Sequence, residues 1–355
     1  MLPLEVLQTA QRDMINYAGS GMSVMEMSHR SKPFEALHNK AIDDLRNLLH
    51  IPANYKILFM QGGASLQFAC IPFNLLRDKT TASYLVTGAW SEKAVQEAGK
   101  YCQPEVVANG KGSNFTAVPD VSTWNVNPDS AYFHYCANET IHGLEFDLTP
   151  EMLDKIGNVP IVADMSSNFL SKPIDVSKHA VVYAGAQKNA GPAGVTIVIV
   201  REDFLGHSLK ICPTMCDWKT QSDNNSLYNT PPCYTIYMCG LYFDFMLRNG
   251  GINAFQATAH EKANLVYEVI SSSQGYYSSP VDERYRSKMN IPFLIKGGDQ
   301  ALEKKFLAEA EKVHLCTLAG HRSVGGLRAS VYNGMPVEGA RALAQFMRDF
   351  QAANS

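Results

Sequence analysis

The sequence has few charged residues and almost no excess of either sign. Of its 355 residues, 31 are Lys or Arg and 34 are Asp or Glu, so the formal net charge is −3. A protein that binds nucleic acid without sequence preference needs a basic surface that attracts phosphates, and this balance therefore disfavours that class. A small anionic ligand stays possible, because a few Arg and His side chains can form a local cationic pocket.

Long apolar runs and zinc-ligand spacings are also missing. No stretch of about 18 apolar residues occurs, so we expect no membrane-spanning helix. The first residues lack a basic segment followed by an apolar one, and we therefore expect no secretory signal and a cytoplasmic protein. The eight cysteines form no C-x-x-C pair, and no His lies near Cys212 and Cys216 at zinc-ligand spacing. We expect reduced structural thiols and no metal site.

Three common active-site motifs are absent as well. There is no G-x-x-x-x-G-K-[ST] loop, and no predicted strand is followed by G-x-G-x-x-G, which disfavours the Walker and Rossmann nucleotide sites. His260-Glu261 does not begin a zinc-protease H-E-x-x-H motif, because Asn264 stands in place of the second histidine.

Short apolar runs fill the first two-thirds of the chain. Most are continuously apolar rather than alternating, which is typical of strands that are buried on both faces. Helical patterns at 66–76 and 92–98 lie between some of them, and this alternation predicts an α/β domain with a mostly parallel sheet. The predicted strands are 56–60, 83–87, 131–136, 160–164, 180–184 and 195–200.

The pattern changes after the Gly250-Gly251 pair. A helical pattern at 254–270 is followed by a predicted strand at 289–295 and helices at 301–313 and 337–350, the last preceded by Pro336. This predicts a smaller α+β domain. We expect a large domain over 16–250, a small C-terminal domain over 251–355, and an N-terminal segment, 1–15, that packs with the small domain.

Polar residues follow several of the predicted strands, where open α/β sheets bind ligands. The segment 62–65, Gly-Gly-Ala-Ser, could bind an anion at a helix N-terminus, or it could be an ordinary turn. Asp164 ends an apolar strand, where a carboxylate either meets a cation or caps a turn. The residues alone leave both alternatives open.

Lys188 stands in a glycine-rich segment between two apolar strands. A lysine in such surroundings is suited to forming a Schiff base, although a solvated turn is the alternative. Together, Lys188 and Asp164 at neighbouring strand ends would suit pyridoxal phosphate, the lysine as its covalent attachment and the carboxylate as partner of the pyridine nitrogen.

Seven segments carry a family resemblance that extends from near residue 2 to near residue 350. On these segments the chain resembles the phosphoserine aminotransferases, in the class V group of fold-type-I pyridoxal-phosphate enzymes. The resemblance implies that fold, with a large domain on a mostly parallel sheet and a smaller C-terminal domain. The segments are 23–30 (SVMEMSHR), 86–90 (VTGAW), 135–140 (YCANET), 163–167 (ADMSS), 183–189 (YAGAQKN), 228–232 (YNTPP) and 320–326 (GHRSVGG).

The resemblance implies roles around the ring of the cofactor, pyridoxal 5'-phosphate. Lys188 matches the lysine that binds the cofactor and then moves the substrate's proton. Asp164 matches the partner of the pyridine nitrogen. Trp90 matches the aromatic residue that stacks on the ring, and Thr140 the residue that is hydrogen-bonded to the ring hydroxyl.

Further positions match the residues that hold the cofactor's phosphate. Within one chain these are the backbone of Ala64 and Ser65 and the side chains of Ser166 and Gln187. The resemblance implies that a second subunit contributes two more, so that the active sites lie at the interface of a homodimer. These two are Asn229 and Thr230.

On the substrate side the resemblance implies a cationic cluster. Arg328 matches the arginine that binds the α-carboxylate, for which a guanidinium is well suited. His321, with Arg322 beside it, and His29 and Arg30 from the second subunit match the group that binds the substrate's phosphate. The expected activity is phosphoserine transamination, with 3-phosphohydroxypyruvate and L-glutamate converted to O-phospho-L-serine and 2-oxoglutarate in serine biosynthesis.

The chain departs from the family pattern at two places. Family members begin with a short segment ahead of the Leu-Pro that is Leu2-Pro3 here. In the turn before Gln67-Phe68, Ala64 and Leu66 replace smaller residues, and we expect weaker cofactor binding from this change.

Other functions are compatible with a fold of this kind. An alanine– or serine–glyoxylate transaminase would not need the His and Arg cluster. A cysteine desulfurase would need a reactive cysteine on a mobile loop, whereas we expect the cysteines here to be buried. A catalytically impaired relative that acts as a binding partner is the alternative outside enzymes.

Overall fold

A seven-stranded sheet forms the centre of the larger part of the chain in the computed structural model, which describes residues 2–354. The strands are β1 Tyr55–Met60, β2 Thr81–Val86, β3 Gln103–Asn109, β4 Phe133–Cys136, β5 Asn138–Glu139, β6 Leu144–Glu145, β7 Ile161–Asp164, β8 Val181–Gly185, β9 Thr196–Arg201, β10 Tyr277–Ser278, β11 Asn290–Ile295 and β12 Leu327–Ser330. The helices are α1 Leu4–Ile15, α2 Lys32–Leu49, α3 Gly63–Leu75, α4 Ala89–Ala98, α5 Pro150–Ile156, α6 Trp218–Asp223, α7 Cys233–Arg248, α8 Gly251–Ser272, α9 Gln300–Lys312 and α10 Val337–Asn354.

The large sheet has the strand order β1-β9-β8-β7-β4-β2-β3. Strands β8, β7, β4, β2 and β3 pair in parallel, whereas β9 is antiparallel to both of its neighbours, so the expectation of a mostly parallel sheet is confirmed. All six predicted strands are present. The apolar pattern did not reveal β3, because this strand lies at the edge of the sheet and most of its residues are not buried.

Both faces of this sheet are covered, which explains the continuous apolar runs. Successive strand residues point to opposite faces. In β8, Val182 and Ala184 pack in a core with residues of α2 and α7, whereas Val181 and Tyr183 pack in a second core with residues of α3 and α4. The strands are therefore buried between two helical layers.

The second, smaller sheet has the order β10-β11-β12 and is antiparallel. Its core joins Ile291 and Phe293 of β11 with Phe306 of α9 and Phe350 of α10. The expected α+β character of the C-terminal part is thus confirmed. Helix α8 begins in the core of the large sheet, with Ile252, and continues into the small one.

Helix α1 packs through Val6 and Ala10 against the core of the large sheet. Its first residues line a cavity of about 510 Å³ whose other walls include Phe255 and Asn333. The domain limits 1–15, 16–250 and 251–355 stay predictions. Between residues 2 and 354, no helix is long and apolar enough to cross a membrane.

Candidate active site

One pocket lies at the carboxyl edge of the large sheet, where the loops that follow β1, β2, β4, β7 and β8 meet. Parallel strands bring their carboxyl ends to the same edge, so residues that are far apart in the sequence become neighbours there. All eight cofactor residues that were assigned to a single chain line this pocket: Ala64, Ser65, Trp90, Thr140, Asp164, Ser166, Gln187 and Lys188.

Lys188 is half-buried in the pocket wall, after the end of β8. Its Nζ donates a hydrogen bond to the Thr140 Oγ1 at 3.3 Å and lies 5.7 Å from the centre of the Tyr332 ring. Lys188 is therefore a pocket residue and not part of a solvated surface turn. Its amine is placed where a ligand carbonyl can reach it.

Asp164 is the last residue of β7, and it is only 4% exposed. Burial raises the pKa of this carboxyl, while hydrogen bonds from Ser166 and Tyr183 and the charge of Lys188 act in the opposite direction. The Ser166 N–H donates to Oδ1 at 2.9 Å. Among residues 2–354, no cationic side chain forms an ion pair with it. A buried carboxylate in this state fits a ligand that brings a positive charge, such as a protonated pyridine nitrogen.

The turn between β1 and α3 forms the opposite wall. Gly62 and Gly63 have φ values of 89° and 68°, which favour glycine, and a Cβ on Gly62 would lie 2.5 Å from the Leu66 side chain. Helix α3 begins at Gly63, so the first N–H groups of the helix have no acceptor within it. Ala64 and Ser65 bring this helix end to the pocket, and it fits the phosphate end of pyridoxal phosphate.

Ser166 and Gln187 close the pocket near β8. The Gly185 N–H donates to the Ser166 Oγ at 3.1 Å. A Cβ on Gly185 would lie 2.6 Å from the Gln187 Oε1, so this glycine allows the Gln187 side chain to lie close to the backbone. Both polar side chains are thereby held at the pocket.

Trp90 lies in the first turn of α4 and is half-buried. Its backbone N–H donates to the Glu139 Oε2 at 2.9 Å. The Lys93 Nζ lies 4.4 Å from the centre of its ring. The Trp90 side chain thus has an ammonium group against its ring and also lines the pocket.

Arg328 reaches the pocket region from the small sheet. It lies on β12 opposite Pro292 of β11, and its Nη1 donates to the Thr140 carbonyl oxygen at 3.3 Å. The Arg328 Nε is buried and has no hydrogen-bond partner among the described residues. This leaves a donor that can bind an incoming oxyanion.

His321 lies in the loop before β12, and its Nδ1 is 2.7 Å from the Ser323 Oγ. Partial burial lowers the pKa of His321, and the charges of Arg328, Arg322 and Lys93 lower it further. Three cationic side chains are therefore close enough to His321 to affect its charge, and Arg322 among them is exposed. The role of this group in substrate binding stays a prediction. Lys93 was not recognised in the sequence as part of this group.

The three substrate residues His321, Arg322 and Arg328 do not line this pocket itself, and neither do the four residues that were assigned to a second subunit. Asn229 and Thr230 are exposed, and the Asn229 Oδ1 accepts a hydrogen bond from the Gln61 Nε2 at 3.3 Å. His29 is half-buried and Arg30 is exposed, in the loop before α2. Their contribution from a second subunit stays a prediction.

The sequence also gave no role to several residues that the fold places here. Cys136, Asn138 and Ser167 line the pocket, and the Asn138 Nδ2 donates to the Ser167 Oγ at 2.8 Å and to the Asn290 Oδ1 at 3.0 Å. The segment 135–140 pointed to this region, but only Thr140 received a role. Tyr332 had no local signal, because its proximity to Lys188 arises from the packing of the two sheets.

The expectation of buried cysteines is wrong for Cys316, which is exposed, and Cys102, Cys212 and Cys233 are only half-buried. Cys316 lies away from the pocket and lines a different cavity. The cysteine in the pocket wall is Cys136, which is buried at the end of β4, and burial raises the pKa of its thiol.

Comparisons with known proteins agree with this geometry. Residues 1–343 match the family model described as aminotransferase class-V. The chain is 52% identical over 350 residues to the phosphoserine aminotransferase of Laribacter hongkongensis, an alignment that covers 99% of this chain and 96% of the relative.

Two solved structures are similar over almost the whole chain. The phosphoserine aminotransferase from Bacillus circulans subsp. alkalophilus is 46% identical, with a TM-score of 0.96 and coverage of 100% of this chain and 97% of that chain. A phosphoserine aminotransferase from Trichomonas vaginalis, described as bound to PLP, is 42% identical, with a TM-score of 0.93 and coverage of 98% and 97%.

Proposed function

Because the chain belongs to the class-V aminotransferases, we propose that the pocket at the sheet edge binds pyridoxal 5'-phosphate and carries out phosphoserine transamination. The reaction converts 3-phosphohydroxypyruvate and L-glutamate to O-phospho-L-serine and 2-oxoglutarate, a step of serine biosynthesis. The observation that carries the proposal is the meeting, in one pocket, of Lys188, the buried Asp164 and the N-terminus of α3.

When bound, the cofactor withdraws electrons from the carbon atom that exchanges the amino group. Asp164 keeps the pyridine nitrogen protonated, because the buried carboxylate needs a cationic partner. The Lys188 Nζ would hold the cofactor covalently, and as a free amine it would move the proton of the substrate Cα. Trp90 would cover the ring, and Thr140 would donate a hydrogen bond to the ring hydroxyl.

The phosphate of the cofactor is bound at the end of α3. The backbone N–H groups of Ala64 and Ser65 provide donors with the favourable orientation of a helix N-terminus. Ser166 and Gln187 add side-chain donors. Because Ala64 does not adopt a positive φ, the replacement of a glycine there is compatible with this arrangement.

Cationic side chains of the protein bind the substrate at both of its anionic ends. Arg328 binds the α-carboxylate, and this role is supported by its Nε, which has no partner in the part of the chain that the structure describes. His321 and Arg322, with His29 and Arg30 of the partner subunit, bind the phosphate. The same groups accept the side-chain carboxylate of glutamate, since both are oxyanions.

The assembly is a homodimer in which each site also uses Asn229 and Thr230 of the partner subunit. The exposure of these residues, away from their own pocket, supports this part of the proposal. We place the protein in the cytoplasm, as an enzyme of small-molecule metabolism.

The central test is the substitution Lys188→Ala. We expect it to abolish turnover and the visible absorbance of the protein-bound cofactor, while Lys210→Ala, at an exposed loop position, leaves both unchanged. Full activity in the Lys188→Ala variant would refute the role of Lys188. Purified wild-type protein that stays colourless with added pyridoxal phosphate would favour an impaired binding partner instead.

Substrate preference separates this activity from the glyoxylate transaminases. We expect faster turnover of 3-phosphohydroxypyruvate than of hydroxypyruvate or glyoxylate, because the latter two cannot use the cationic cluster. A preference for the unphosphorylated acids would contradict the proposed substrate but leave the cofactor assignment intact.

A further inference from the structure

A buried carboxylate that has no role in the proposed reaction joins two walls of the pocket. Glu139 is 0% exposed and lies on β5, which follows β4 after one residue. Its Oε2 accepts the Trp90 N–H at 2.9 Å. Its Oε1 accepts the Ser91 N–H at 2.9 Å and the Ser91 hydroxyl at 2.6 Å. Glu139 therefore caps the N-terminus of α4 from a different part of the chain.

The backbone at Gly88 is shaped around this carboxylate. A Cβ on Gly88 would lie 2.5 Å from the Glu139 Cδ and 2.6 Å from its Oε2. Because the φ of Gly88 is 173°, an extended value that any residue adopts, the glycine serves close approach and not an unusual conformation. The carboxylate is thus packed directly on the turn that leads into α4.

The two residues that Glu139 connects are both assigned to the cofactor ring. Trp90 is held through its backbone N–H, and Thr140 follows Glu139 in the chain. The Thr140 hydroxyl bonds to the Lys188 Nζ, and its carbonyl accepts from Arg328. If Glu139 were displaced, Trp90 and Thr140 would therefore shift as well, together with the side chains that are bonded to Thr140.

We propose that Glu139 is a positioning residue that fixes the Trp90 ring and the Thr140 side chain relative to each other across the cofactor pocket. It does not touch the substrate; it acts through the helix end that carries Trp90. This inference rests on the proposed function, because it takes the roles of Trp90 and Thr140 from there.

The surroundings of Glu139 make it costly to bury its carboxylate in the charged form. Burial raises the pKa of Glu139 to about 7, the bonds from Ser91 and Trp90 act against this rise, and the nearby Asp164 adds to it. The positive end of α4 stabilises the charged form. Such a group is retained where its hydrogen bonds define a geometry, since a well-packed apolar side chain would cost less.

The test uses Glu139→Gln, which keeps the shape of the side chain but places an amide N–H₂ where one acceptor oxygen is needed. We expect the full-length variant to bind pyridoxal phosphate about tenfold more weakly in a titration of the cofactor-free protein, the loss that removal of one charged hydrogen bond produces. In a Trp90→Ala background the same change should cost clearly less, because the ring that Glu139 positions is gone and only the contribution through Thr140 is left.

A second measurement does not involve the cofactor. Amide hydrogen exchange at 88–91 in the cofactor-free protein should be faster in Glu139→Gln than in the wild type, because one N–H group loses its acceptor and the other loses a charged one. Glu145→Gln is the matched control. Glu145 is also buried and bonds to Lys172 at 3.1 Å and to the Lys288 N–H at 2.9 Å, but it lies outside the pocket wall. Glu145→Gln should leave hydrogen exchange at 88–91 unchanged, and its effect on cofactor affinity should be the same with and without the Trp90 side chain.

If Glu139→Gln does not fold, Ser91→Ala tests the same cap from the other side. It keeps the carboxylate but removes one of its three bonds, together with the bonds that the Ser91 Oγ accepts from the Thr87 and Gly88 N–H groups at 2.9 Å and 3.0 Å. We expect about threefold weaker cofactor binding, and a smaller effect in the Trp90→Ala background. Effects of Glu139 and Trp90 that add independently, or unchanged affinity in both Glu139→Gln and Ser91→Ala, would overturn the inference. Unchanged affinity in Trp90→Ala itself would instead refute the proposed role of Trp90.

Discussion

Arg328 connects the small sheet with the pocket at the edge of the large sheet. It belongs to β12, yet it donates a hydrogen bond to Thr140, beside the pocket at the edge of the large sheet. Its Nε is buried and has no hydrogen-bond partner within residues 2–354, which is costly unless a ligand supplies an acceptor. A planar guanidinium can bind both oxygens of a carboxylate, whereas an ammonium group binds as a point charge.

We therefore expect Arg328→Lys to weaken substrate binding more than it slows turnover. Loss of the second charged hydrogen bond should raise the KM for phosphoserine by about 10- to 100-fold, with a smaller fall in kcat. Steady-state kinetics of the phosphoserine reaction measure both constants. Arg341→Lys, at an exposed position of α10 paired with Glu261 at 2.7 Å, is the control. An unchanged KM in Arg328→Lys would show that this arginine does not bind the carboxylate.

At the scale of the elements, apolar runs predicted where the buried strands are but not how they are arranged. The run at 195–200 became β9, and its antiparallel direction could not be predicted because an apolar run has no direction. The polar strand β3 was missed because one side of an edge strand is not packed. The turn before α3 was recognisable, since Gly62 and Gly63 are needed for its backbone.

The residues of the candidate site also differ in whether the sequence alone identified them. Asp164 and Lys188 stood out from the residues alone, because charged side chains at the ends of apolar strands need a partner. Trp90 and Arg328 became site residues only through the family resemblance. Glu139 and Tyr332 received no role from the sequence, because their positions depend on contacts between segments that are distant in the chain.

Lys262 of α8 is another charged residue whose position only the fold explains. It is 0% exposed, and its Nζ donates to the carbonyl oxygens of Tyr332 at 2.7 Å and Met335 at 2.9 Å. Among residues 2–354, no carboxylate forms an ion pair with it. It therefore ties α8 to the segment after β12, which carries Tyr332 beside Lys188.

This burial makes the stability of the fold depend on pH in a defined direction. Burial lowers the pKa of Lys262 from 10.5 to about 8. Between these two values the unfolded chain retains a proton that the folded chain has released, so the stability of the wild type rises with pH by about 1.4 kcal/mol per unit. A Lys262→Met variant lacks this contribution.

We expect the free energy of unfolding of the wild type, relative to Lys262→Met, to increase as the pH is raised from 8 to 10. Denaturant unfolding at several pH values measures the difference and cancels the other titrating groups. The corresponding comparison with Lys304→Met, at an exposed position of α9, should be independent of pH. A constant difference for Lys262→Met would mean that Lys262 keeps its proton in the folded state throughout this range.

At the scale of the whole molecule, the proposed function places a cationic pocket, completed by a second chain, in a protein whose net charge is −3. The pKa of His321 is lowered by the positive charges of Arg328, Arg322 and Lys93. His29, Arg30, Asn229 and Thr230 do not line it in their own chain, although the proposed function needs them. An exchange of these residues across a two-fold axis completes both sites at once, because a symmetric interface presents the same residues in both directions.

Such shared sites predict that two inactive variants can restore each other. We expect Lys188→Ala to be inactive and a variant with Asn229→Ala and Thr230→Ala to bind the cofactor poorly. In a mixed dimer one site carries both defects, whereas the other has an intact lysine from one chain and intact phosphate ligands from its partner. After the two proteins are unfolded together and refolded at equal concentrations, about half of the dimers are mixed, so about a quarter of the wild-type activity should return.

Mixing Lys188→Ala with Asp164→Asn, two changes in the same chain's pocket, should restore activity in no site, because each half of the mixed dimer keeps one defect. Recovery of activity in neither mixture would show that Asn229 and Thr230 serve their own chain or no site at all.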